Sequence, residues 1–226
     1  MGLTKKQKQF IEVFLLVLII LASIFLWDTF VIYPIKLMVV LLHEISHGFA
    51  AIITGGKVID LDIALDLSGF SKIENGNSFI IASSGYLGSL IFGMILFYAS
   101  YQKRFRNIVL PITAGIIIIF LINSSKNEYL IFITIGIIIL LFTINYFFPS
   151  FFANIILKSL GLVSCIYVLI DIKQDVLEST TSYSDASVIA EITGVKQTIW
   201  GIFWLLISVI GIILLIKSAY KKNSRT

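Results

Sequence analysis

Charge is scarce in this chain. Asp, Glu, Lys and Arg together make up 13% of its 226 residues, about half the roughly 25% usual for a soluble domain. That deficit excludes a soluble globular domain, a disordered chain and an ordinary nucleic-acid binder. Cysteine is scarcer still. Cys165 is alone, so no internal disulfide framework can form. Histidine is almost missing, present only as His43 and His47. The small basic excess, a net charge of +4, suits lipid-facing termini better than an RNA or DNA site, and no nucleic-acid partner is expected.

What fills the chain is apolar: 58% hydrophobic residues and a mean hydropathy of +1.00. A helix needs about 20 apolar residues to cross a hydrocarbon core of roughly 30 Å. Seven stretches meet or approach that length: Phe10 to Tyr33, Ile35 to Thr54, Phe79 to Ser100, Ile108 to Ile122, Tyr129 to Phe148, Ile155 to Ile172, and Thr198 to Ile216. The fourth is short, so six spans with one re-entrant segment is the other count. The first is too long for a signal-peptide core and has no small-x-small cleavage site, so it reads as a retained helix. The expected fold is an all-α polytopic membrane protein with about six or seven transmembrane helices. One membrane domain is expected over 1–226, a multi-pass integral protein in contact with the bilayer, with the cell membrane favoured. Basic residues divide almost evenly between the two faces, so they do not set its orientation.

Two connections are long enough to hold structure. Between Gly55 and Ser78, apolar Leu61, Ile63, Leu65 and Leu67 alternate with polar positions that include Asp60, Asp62 and Asp66. A period of two is the pattern of a half-buried strand. Ser68-Gly69 marks a turn, and Phe70 to Glu74 can pair back, which predicts a small β-hairpin at about 57–75. The second connection, about 173–197, is polar and acidic, with Ser179 to Ser182 as its loop-like centre.

The chemistry lies in Leu41-Leu42-His43-Glu44-Ile45-Ser46-His47-Gly48. Residues four apart share one helix face, so two imidazoles at this spacing can bind one zinc ion, and the adjacent Glu can reach a water beside it. Glu44 would take the water's proton and pass it to the leaving amine, which is peptide-bond hydrolysis. Both of the chain's histidines fall into this pattern inside an apolar run, where ionisable groups are costly. The bland alternative is a polar cluster that only hydrogen-bonds neighbouring helices.

A catalytic zinc needs a third protein ligand, and with no other histidine it must be a carboxylate. Asp171 is favoured because it ends the apolar run Gly161 to Ile172. The second and sixth spans also run in the same direction, so His47 and Asp171 approach one membrane face. Asp175, one turn on, and Asp185, in Ser184-Asp185-Ala186, are the alternatives. Ser84/Gly88, Gly85/Ser89 and Ser89/Gly93 are small pairs that let membrane helices pack closely. They read as a packing face beside the histidine helix.

The run His43 to Ala51, followed by Gly55-Gly56, resembles the site-2 protease family of intramembrane zinc metalloproteases. It is most similar to the family's shorter, peptidase-like bacterial and eukaryotic branch. Gly69-Phe70, Ser84 to Gly88 and Ser184 to Ala186 follow the same order, so the resemblance spreads over much of Leu41 to Trp200. It implies Zn2+ held by His43, His47 and a distant Asp, with Glu44 as base, and a transmembrane segment of another protein as substrate. The chain lacks the Leu-Asp-Gly and Asn-Pro-Asp-Gly motifs of better-known members, and Asp171 is followed by Ile172 and Lys173. Two other functions are compatible with the residues. One is an inactive or regulatory protein of the same fold, against which the intact Glu44 argues. The other is a metal transporter, for which repeated spans would be expected.

Overall fold

The computed structural model describes residues 4–27, 29–64, 66–124, 127–178 and 184–223. Its elements in chain order are α1 (Lys5–Phe25), α2 (Tyr33–Ile53), β1 (Lys57–Ile63), β2 (Gly69–Glu74) and α3 (Ser78–Ala99). They are followed by α4 (Lys103–Ser124), α5 (Glu128–Phe147), α6 (Ser150–Lys173), a π-helical turn (Gln174–Glu178), α7 (Asp185–Thr193) and α8 (Gln197–Asn223). Among the described residues, six helices, α2 to α6 and α8, are long and apolar enough to cross a membrane. The first apolar run of the sequence does not stay helical throughout. Helix α1 closes at Phe25, a turn carries the chain through Thr29 to Ile32, and α2 restarts at Tyr33 with Pro34 in its first turn. There the missing proline N–H costs nothing.

The fourth span is longer than its apolar run because charged residues are drawn into the helix. Helix α4 begins at Lys103, and the buried Arg106 donates through Nε to Asn145 of α5 and through Nη1 to Asn154 of α6. Neutral amide oxygens thus replace the water that an intramembrane guanidinium would otherwise need. A similar device ties α1 to α6. Buried Lys158 pairs with Glu12 and sits 4.1 Å over the Tyr101 ring.

Helices α2 and α6 are the most buried spans, and α5 and α8 the least. Helix α3 packs closely on both α2 and α6 because its glycines leave no side chain in the way. A Cβ on Gly88 would collide with Ser46 of α2, and one on Gly93 would lie 2.7 Å from the Cys165 sulfur and the Gly161 carbonyl of α6. The small-residue stripe of α3 is therefore a packing face, as its spacing suggests.

After α2 the chain forms the expected hairpin. Strands β1 and β2 pair antiparallel, with Leu61 opposite Ser71 and Ile63 opposite Gly69, and a bulge lies between Val58 and Asp60. The first strand stops at Ile63, short of the expected Leu67. Asp66 accepts hydrogen bonds from the Ser68 amide and hydroxyl, and Leu67 turns with φ 66°. Leu65 lies outside the described residues. Gly69, Ser71 and Ile73 share one face of β2, since side chains alternate along a strand, and that face turns toward α2. The acidic connection expected as a loop holds the π turn and helix α7. Its expected centre, Ser179 to Ser182, lies outside the described residues.

Candidate metal centre

Helix α2 supplies the first three groups. Its apolar residues from Leu37 to Leu42 are buried, and His43, Glu44 and His47 are carried into the interior with them. The two imidazoles meet edge to face, their centroids 4.7 Å apart, and their Nε2 atoms approach to 3.0 Å. The Nδ1 atoms point elsewhere. That of His47 donates to the Ile81 carbonyl of α3 at 2.8 Å, and that of His43 faces Asp171 Oδ2 at 3.3 Å. A carbonyl can only accept, so His47 carries its proton on Nδ1 and presents a lone pair at Nε2. The Asp171 carboxylate biases His43 toward the same tautomer.

The third atom comes from α7. Asp185 Oδ2 lies 3.3 Å from His43 Nε2 and 3.2 Å from His47 Nε2. Helix α7 presents it there through an N-terminal capping box in which Ser184 and Ser187 exchange hydrogen bonds, while Ala186 and Ile189 are fully buried.

Three acceptor atoms therefore face one another at 3.0–3.3 Å. The edge of a tetrahedron with bonds of 2.0–2.1 Å is about 3.3 Å, so the spacing suits a zinc-sized cation with a fourth corner open. Two further observations fit a metal. Asp185 Oδ2, at the corner shared by the two Nε2 atoms, is buried without a hydrogen-bond partner. Gly85 leaves a cradle at the same corner, where an added Cβ would lie 2.6 Å from both His43 Nε2 and Asp185 Oδ2. His43, His47 and Asp185 form a group of the kind that can hold a metal ion.

By its place at the end of an apolar run, Asp171 is the expected third ligand, with Asp175 and Asp185 as alternatives. The structure separates the three. Asp171 does approach the histidines, as the parallel course of α2 and α6 requires, but it meets His43 at Nδ1, the ring nitrogen on the far side from His47. Its other oxygen accepts from Tyr167 at 3.1 Å. Asp175, on the π turn, accepts from the Tyr86 hydroxyl, and its backbone carbonyl accepts from Gln197 of α8. Asp185 is the carboxylate whose oxygen lies beside both Nε2 atoms, whereas Asp171, carried on α6, reaches the back of the His43 ring.

Glu44 lies between the histidines and the hairpin. Its Oε2 accepts from Ser71 at 2.6 Å, and its side chain occupies the space a Cβ would need at Gly69. His43, Glu44, His47, Asp171, Asp185, Tyr167 and the inner face of β2 line one cleft of about 620 Å³. Nothing in the sequence pattern marks Tyr167 or Ser71, and Gly69 and Gly85 stand out only by their place in the order of motifs and in a packing stripe. No local pattern marks a hydroxyl whose partner lies 27 residues away.

No curated protein and no solved structure matches the chain. The Peptidase M50B-like family profile matches residues 16–215, a stretch that includes the helix with the histidines, the hairpin, and the segment bearing Asp171, Asp175 and Asp185. With the match running through nearly the whole chain, this multi-pass helical protein belongs to the Peptidase M50B-like family, which is the site-2 protease family.

Proposed function

We propose that the protein is a membrane-embedded zinc metalloprotease that hydrolyses peptide bonds in or near a transmembrane segment of a partner protein. The observation that carries this reading is the convergence of two imidazole nitrogens and one carboxylate oxygen within 3.3 Å, in the same cleft as Glu44. In this assignment His43, His47 and Asp185 hold the metal. Asp171 orients His43 through Nδ1, as carboxylates behind metal-binding imidazoles commonly do.

Bound zinc supplies Lewis-acid chemistry, acidifying water and polarising a carbonyl. The chain's own residues do the rest. Glu44, with no metal-facing duty, accepts the proton of the attacking water and returns it to the amine of the departing strand. Ile81 and Asp171 keep both imidazoles in the tautomer that leaves Nε2 free. The polar inner face of the cleft admits water to a place that is otherwise bounded by apolar helices. Because the histidines sit within a span, a scissile bond that reaches them comes from a segment at or near membrane depth.

Purified protein should carry about one zinc per chain, and Glu44→Gln should keep the metal while lowering turnover of a membrane-anchored substrate by about 10²- to 10⁴-fold. Undiminished turnover in Glu44→Gln would remove Glu44 from the reaction. A wild-type protein that takes up no zinc would overturn the reading as a whole.

A further inference from the structure

We infer that Ser71, on the β-hairpin, is the positioning residue for Glu44, so that the hairpin rather than helix α2 sets the direction of the base. This rests on the metalloprotease reading above and assigns a part of it that the histidine motif leaves open. A glutamate on a helix has three side-chain torsions, and α2 itself offers the Glu44 carboxylate no partner among the described contacts. The contacts come from β2. Ser71 Oγ lies 2.6 Å from Glu44 Oε2 and 3.3 Å from the Glu44 carbonyl. A hydroxyl has one proton to give, and the shorter, charge-assisted bond to the carboxylate takes it.

Two residues earlier on the same strand face, Gly69 presents bare backbone to the same carboxylate. A Cβ there would overlap Glu44 Oε1 and lie 2.7 Å from Cδ. Hydroxyl and glycine thus act on the two oxygens in different ways: one holds Oε2, the other makes room for Oε1. Strand alternation puts both on one face, and the pairing of Leu61 with Ser71 and of Ile63 with Gly69 anchors that face through two buried apolar partners. A one-residue slip of the hairpin would turn Ser71 away and aim Phe70 or Lys72 at the base. The register of the hairpin therefore decides whether the carboxylate points into the cleft.

The test uses full-length protein loaded with zinc. A hydrogen bond to a charged group contributes enough that Ser71→Ala should lower kcat by about tenfold to a hundredfold. KM and zinc content should be nearly unchanged, and Ser71→Thr should restore most of the rate. A hairpin that serves only to bind substrate would raise KM instead, and a merely structural role would not be rescued by Thr alone. In a Glu44→Gln background, Ser71→Ala should cause no further loss. A readout that needs no turnover is the infrared difference spectrum of protein labelled with ¹³C-glutamate. Ser71→Ala should shift one carboxylate band, and the shift should vanish when Glu44 is already Gln. No such shift, or full kcat in Ser71→Ala, would overturn the inference. A shifted band in a protein that cuts nothing would leave the positioning role standing and refute the protease reading.

Discussion

Helix α2 brings His43, Glu44 and His47 to the cleft from neighbouring positions, whereas the facing wall gathers Asp171, Asp175 and Asp185 from the end of α6, the π turn and α7. On the first wall the spacing of one helix does the work, and any helix with this sequence would present the two imidazoles together. On the second wall spacing is misleading. Asp171 and Asp175 are one turn apart, yet one faces a ring nitrogen of His43 and the other a tyrosine hydroxyl of α3. Asp185, the most distant in sequence, alone meets both Nε2 atoms. Three chemically equal side chains thus hold three places, and the place is set by the element that carries each one.

Removing the carboxylates one at a time and measuring zinc affinity tests directly whether the three places differ. Asp185→Ala should have the largest effect, a loss greater than about a hundredfold, because it takes away a ligand rather than a support. Asp171→Asn should weaken zinc by about ten- to a hundredfold, the range for a partner behind a ligating imidazole. If Asp171→Asn proves the more damaging, the two assignments exchange. Asp175→Asn should leave zinc binding within error, since an amide oxygen can still accept from Tyr86. It should cost about 1 kcal/mol of stability or less in a thermal or denaturant unfolding measurement. An equal loss of metal from all three variants would mean that the second wall is an undivided acidic patch.

Much of the molecule was legible in advance for reasons that carry over directly. Long apolar runs specify spans because a bilayer leaves backbone groups no partner outside the helix. Period-two alternation about Leu61 and Ile63 specifies a strand. What local pattern misses is also physical. Arg106 cut short the expected fourth span, because its partners Asn145 and Asn154 lie on other helices. Helix α7 was hidden because its cap pairs Ser184 with Ser187, not with the Glu or Gln that usually signals a capping box. Gly85 read as a packing residue, which is how α3 uses its neighbour Gly88, while its own missing side chain opens the corner shared by His43 and Asp185.

The membrane class, the place of the hairpin, and the shared face of His43 and His47 each follow from periodicity within one segment. Tertiary packing chose which carboxylate lies beside both Nε2 atoms, which oxygen faces each Nδ1, and which hydroxyl meets Glu44. Those choices depend on helices and strands far apart in the chain meeting at distances near 3 Å. No spacing rule along a single segment reaches that far.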